Sequence, residues 1–259
     1  LVTGAVQHGA GVAGVESWAT QNLAGGFPSA PTIVGMPQTT NNERGNNPPG
    51  NNRPSFPFVT MAIRNVAAAS FQMANERSEV NTQPLIFFFV PETLGFIAME
   101  RGAAGTFSDN ANNTVAYESF NSGDNVAGWG NGCYQRPTGN FFNTYTAPPK
   151  VFASKNRHDG GDGGWVRRCS LSNTQVGLTV DEDRDRDTER NHTNEDIGVI
   201  VFDRTFDADI AAVPAPWLRK TVTVDNDPFN GTTNPKAIPE AEVLYTIRVE
   251  NQGDGTATN

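Results

Sequence analysis

A ten-residue pattern that occurs twice constrains this chain more than anything else in it. Residues 91–100 read Pro91-Glu92-Thr93-Leu94-Gly95-Phe96-Ile97-Ala98-Met99-Glu100, and residues 194–203 read Asn194-Glu195-Asp196-Ile197-Gly198-Val199-Ile200-Val201-Phe202-Asp203. Each copy is an acid, an apolar residue and a glycine, then an apolar run closed by a second acid, which is the pattern of a buried strand with polar stops. The flanks match as well. Ala30-Pro31-Thr32-Ile33-Val34-Gly35 parallels Pro148-Pro149-Lys150-Val151-Phe152-Ala153, and Val66…Phe71-Gln72-Met73 falls where Leu171…Val176-Gly177-Leu178 falls. Three matching blocks in one order indicate an internal duplication.

The blocks recur roughly 105 residues apart, the size of a small β-sandwich, so the duplication sets the domain count. With 26 Gly, 17 Pro and many Asn and Thr, the chain favours turns between short strands, and no amphipathic helix longer than two turns is evident. The expectation is an all-β protein: two tandem antiparallel β-sandwiches over 1–105 and 106–208, then a linker and a C-terminal strand segment over 209–259. The excess of 28 acidic over 19 basic residues, a net charge of -9, gives a phosphate backbone nothing to bind, so nucleic acid is not an expected partner. The most apolar run, Leu85–Val90, is far short of the roughly 20 residues that span a bilayer and reads as a core strand. No membrane span is expected. Leu1 opens the chain without a signal segment, which reads as a mature or trimmed form. Cys133 and Cys169 lack metal or redox spacing; they read as a disulfide formed in an oxidising, extracytoplasmic setting, with two buried free thiols as the alternative.

Taken in order, residues 1–27 hold the two opening strands of the first repeat, with Trp18 as a core aromatic. The polar stretch 39–52 is an exposed loop, either a binding surface or a solvated insertion. Strands are expected at 57–65, 69–75, 84–90 and 94–100, and Gly102–Asn113 reads as a linker. In the second repeat the Gly-rich loop 157–165 lacks the Lys and Ser/Thr of a phosphate loop; it could meet a cation through two carboxylates and His158, or be a plain turn. Asp181, Asp183 and Asp185 have the spacing of a calcium loop, yet Arg186 stands where a glycine is needed, so a hairpin loop with mutual charge compensation is preferred and calcium is the minor alternative. No other cofactor is implied. Beyond Phe206 a stiff Pro/Ala linker leads to one short strand near Lys220–Val224 and one emphatic strand, Glu242–Glu250, in which Val243, Tyr245, Ile247 and Val249 share an apolar face.

Two local resemblances sharpen this. The strand A/P-P-x-[IV]-[VF]-[GA], the following hairpin and the E-x-[LI]-G-[FV]-I-[AV] strand in each repeat resemble the H-type lectin module. That resemblance implies six-stranded antiparallel sandwiches, often in trimers or hexamers, that bind N-acetylgalactosamine-type sugars through an Arg on the central hairpin and a His before the last strand. Arg168 and His192, with Asp187 nearby, would fill those places in the second repeat; the first offers Arg64 and no matching His. The stretch Lys220–Val224 through Asn234-Pro235-Lys236-Ala237-Ile238-Pro239-Glu240 to Gly253 resembles the opening of the immunoglobulin-like N-P-K-A-I-P-G repeat of bacterial and archaeal surface proteins, with Glu240 where Gly is usual. It covers about 40 residues of a module of roughly 100.

A strand with one apolar face has to bury it, in its own second repeat or in a neighbouring copy by strand addition, unless the rest of its module is missing or disordered. A head-to-tail contact that does not close generates a fibre. The leading expectation is therefore a secreted, cell-surface bacterial protein, the structural subunit of a pilus-like filament or adhesive assembly, whose partner is itself. The alternative is a glycan-binding lectin or adhesin acting as a small oligomer. His8, His158 and His192 are the only histidines, and no motif joins a nucleophile to a base, so an enzyme is not expected.

Overall fold

The computed structural model describes residues 2–8, 18–39, 59–77, 91–135, 141–160, 163–182, 188, 190–208 and 216–251, with backbone alone at 2–8, 77, 135, 216–219 and 249–251. The expected strand at 84–90 and all of the polar loop after Thr39 lie outside these residues. The chain divides into two units, Leu1–Ala208 and Asp209–Asn259. The described residues form β-strands in antiparallel sheets joined by turns, plus one short 3-10 turn at Trp129–Asn131. None of them builds a helix long and apolar enough to cross a membrane.

The duplication seen in the sequence is a duplication of topology. The first repeat contains β1 (Val2–His8), β2 (Ala19–Asn22), β3 (Thr32–Pro37), β4 (Val59–Arg64), β5 (Ser70–Arg77) and β6 (Glu92–Met99), arranged as two sheets, β1-β6-β3 and β2-β5-β4. After β7 (Ala104–Ser108), the second repeat follows as β8 (Thr114–Val126), β9 (Tyr134–Gln135), β10 (Lys150–Lys155), β11 (Gly164–Leu171), β12 (Val176–Glu182) and β13 (Glu195–Phe202). Its sheets, β7-β8-β13-β10 and β9-β12-β11, repeat the same order with β7 added at one edge. Even the register is kept: Thr32 pairs with Met99 as Lys150 pairs with Phe202, and Met36 with Gly95 as Ser154 with Gly198. The segment that reads as a linker, 102–113, thus contains β7, a strand hydrogen-bonded to β8.

In each repeat both sheets contribute to one buried layer. Leu94, Phe96 and Ala98 of β6 meet Met61, Ile63, Phe71 and Met73 of β4 and β5; Ile197, Val199 and Val201 of β13 meet Val176, Leu178 and Val180 of β12. The intervening residues of the same strands do not face water. Ile97 and Met99, with Val34, pack against Ile200, Phe202, Val115 and Tyr117 in a third cluster between the repeats. This explains the sequence pattern: β6 and β13 read as unbroken apolar runs because both of their faces are covered. It also explains why 1–208 is one unit.

Polar groups complete the contact between repeats. β3 is an edge strand, and an exposed edge would offer its backbone to other chains. Here the Ile33 N–H donates to Asn156 Oδ1 at 2.9 Å, Asn156 Nδ2 donates back to the Ile33 carbonyl, and Ser154 Oγ, at 2.9 Å from each, bridges the N–H and carbonyl of Gly35. Asn156 fits because Gly198 leaves room: a Cβ there would lie 2.6 Å from Asn156 Oδ1. Trp18, expected in the core, sits instead at this boundary, half-buried, under the Arg64 guanidinium at 3.9 Å and edge-on to His158 of the second repeat at 5.3 Å.

The second unit is a two-stranded ribbon, β14 (Pro216–Asn226) and β15 (Glu242–Asn251), paired through ten registered positions. The strand Glu242–Glu250 therefore has a partner within its own chain, and the short strand expected near 220–224 is the centre of an eleven-residue one. Asp227 organises the connection: its carboxylate accepts the N–H groups of Phe229, Asn230 and Lys236 at 2.6 to 2.8 Å. Desolvation opposes its ionisation, and the bonds from Asn230, Lys236 and Phe229 outweigh it, holding the carboxyl far below the usual range. One face of the ribbon carries Lys220, Val222, Val224, Val243, Tyr245 and Ile247, and the other Thr221, Thr223, Leu244, Thr246 and Arg248.

Candidate functional site

The residues singled out in the sequence fall at three separate places. His192 is buried in the loop before β13, with Nδ1 against Glu182 Oε1 and Nε2 3.1 Å from Glu195 Oε1. Glu195 also accepts the N–H groups of Asp159 and Gly160 at 3.1 to 3.2 Å, so this part of the Gly-rich loop is a carboxylate cradle. The wall is glycine by necessity, since a Cβ at Gly160 would overlap the imidazole. Burial opposes charging of His192, but hydrogen bonds to Glu195 and Glu182 overcome it and raise its pKa above the ordinary imidazole value. With both ring nitrogens engaged by buried carboxylates, His192 ties the loop before β13 to β12 and β13 as a structural lock.

Arg168 lies elsewhere. It is exposed on β11, four residues beyond Gly164, the glycine that flanks the His192 ring, and a strand advances about 3.3 Å per residue. Arg168 is thus placed about 13 Å along β11 from the glycine that borders the His192 ring. Asp187 lies outside the described residues. Arg168 instead lines a cleft of about 720 Å³ with Lys150, Phe152 and Leu171, where the edge strands β10 and β11 of the two sheets face each other. Phe152 is 48% exposed there.

The other assignments can be located as well. Cys133 and Cys169 form a disulfide, with Cα atoms 5.9 Å apart. It passes over Gly177 of the central strand β12, where a side chain would strike Cys133 Sγ. In the first repeat the corresponding place, over Gln72 of β5, is spanned by the Trp18–Arg64 stack, with Arg64 Nε donating to Gln72 at 3.0 Å. Asp181 is bound to Arg190 and lies 3.5 Å from Arg167, in keeping with charge compensation in that loop; Asp183 and Asp185 lie outside the described residues. Of the strand residues on β15, Val243, Tyr245 and Ile247 are exposed, and the Val249 side chain is outside the described set.

Sequence reasoning missed a buried ionic group between the repeats. Lys155 Nζ is 2.6 Å from Glu76 Oε1, both almost fully buried, and His158 Nε2 is 3.1 Å from the same oxygen. Burial pushes the Glu76 carboxyl up, and Lys155 and His158 more than reverse that, leaving it lowered. Nothing local marks these residues, because Glu76 and Lys155 belong to different repeats. Trp129 is half-exposed, with the Arg190 guanidinium 4.8 Å from its ring centroid.

No protein-family model, no curated protein and no solved structure matches this chain.

Proposed function

We propose that this chain is a secreted structural protein of a bacterial-type cell surface, the subunit of a filament or adhesive assembly held by β-strand addition between copies. The observation that carries the reading is the ribbon β14–β15. Its apolar face is open: Val222 is 56%, Val243 42%, Tyr245 54% and Ile247 60% exposed. A two-stranded hairpin is marginal alone in water, and an apolar face of this extent marks an interaction surface. Burying four such side chains is worth about 6–12 kcal/mol, against an association cost of about 4–15 kcal/mol. Apolar contact alone is therefore barely sufficient, and a main-chain ladder along a free ribbon edge supplies both the remainder and the register. The disulfide is compatible with an oxidising location.

The test is electron microscopy of the full chain beside one lacking 241–259. Fibres in the first and their absence in the second are expected. Compact particles in both, or fibres in both, would refute the reading. A second reading, glycan capture by a small oligomer, draws on Arg168, exposed beside Phe152. Glycan-array binding that disappears in Arg168→Ala, in a chain that forms no fibres, would favour it.

A further inference from the structure

We infer that the β10–β11 edge of the second repeat is the acceptor to which β15 of a second copy is added. This rests on the reading of the chain as an assembly subunit and adds to it where the strand goes.

The two repeats share one register but differ at one edge. On β3 the outward N–H and C=O groups of Ile33 and Gly35 are sealed by Asn156 and Ser154. The identical pairing of β10 with β13 turns the groups of Val151 and Ala153 outward in the same way. Among the described residues, no backbone hydrogen bond from outside the strand ladders reaches Val151. The duplication thus gives two equivalent edges, of which one is closed by contacts among the described residues.

The open edge also has side-chain features that a bare strand lacks. It borders the cleft containing Phe152, Lys150 and Arg168. Lys155, Arg157, Arg167, Arg190 and Arg204 each pair with a carboxylate, whereas Lys150 and Arg168 have no ion-pair partner among the described residues. Two cations without an ion-pair partner among the described residues in one cleft favour an occupant that brings a carboxylate. β15 offers one: it begins at Glu242, exposes Tyr245 and Ile247, carries Arg248 between Glu242 and Glu250, and among the described residues is paired along one edge only, with β14. Backbone pairing at Val151, an aromatic contact at Phe152 and a charge contact of Glu242 with the cleft that Lys150 and Arg168 line give one strand three kinds of contact.

The experiment uses the full chain with a photo-crosslinking side chain at position 152, and separately the Val151→Pro variant. Pro removes the outward N–H yet is tolerated on an edge strand, so the second repeat keeps its fold. Crosslinks from position 152 to peptides within 242–251 of another copy are expected, with a fall of about ten-fold in the assembly equilibrium for Val151→Pro, the effect of losing roughly 1.4 kcal/mol. Crosslinks to any other segment in fibres that do form would overturn the inference and leave the proposed function standing. A wild-type chain that makes no fibres would remove both. If Val151→Pro lost its folded circular dichroism signal, the crosslink position alone would decide.

Discussion

Replacing His192 by Ala separates a structural histidine from a sugar ligand. The substitution leaves Glu195, fully buried, and Glu182, 6% exposed, without the cation between them. Removing one partner of a buried ion pair costs about 3–5 kcal/mol. Glu195 keeps the N–H groups of Asp159 and Gly160, which places the expected loss near the lower end, about 3 kcal/mol. For a unit of this size each kcal/mol moves Tm by about 2–4 °C, so a fall of about 6–12 °C is expected. The assay is thermal and denaturant unfolding of wild type and variant at pH 5 and pH 7. The pH dependence of the wild type gives a second readout. Because folding raises the His192 pKa, its stabilisation is complete below about pH 6.5 and is lost as the pH rises through the raised folded value. A variant Tm within about 2 °C of wild type would refute the lock.

Two further outcomes follow from the contacts between and within the repeats. Asn156→Ala strands the N–H and carbonyl of Ile33 in a buried place and should cost about 1–3 kcal/mol in denaturant unfolding; a loss under about 0.5 kcal/mol would mean that the edge of β3 is not sealed by this side chain. The double replacement Cys133→Ser and Cys169→Ser opens a loop of 36 residues and should cost about 3–4 kcal/mol, reproduced in the wild type under reducing conditions.

The strands that bury apolar residues on one or both faces were readable in the sequence. Glu92–Met99 and Glu195–Phe202 stand where the repeated pattern places them, and the Cys133–Cys169 pair is a disulfide as expected. Elements defined by pairing rather than by composition were harder to see. β7, with Ala104, Gly105 and Thr106, has no apolar run, and exists as a strand because β8 extends far enough to pair with it. Trp18 looked like a core residue because size alone suggests burial, whereas its place is set by Arg64 and His158, the latter in the other repeat. The position of His192 before the last strand matched the lectin-like pattern, but position along the chain does not reveal that Glu182 and Glu195 close over both ring nitrogens.

Local sequence by itself determined the strand periodicity, the duplication and the all-β class, because alternation, turn residues and repeated blocks are properties of neighbours along a chain. Only the tertiary structure decided which copy of the duplicated edge is sealed, that Lys155 and Glu76 meet in a buried contact, and that β14 pairs with β15 while their apolar face stays exposed. Those outcomes depend on groups far apart in sequence coming within hydrogen-bond or van der Waals range, and no local pattern encodes that distance.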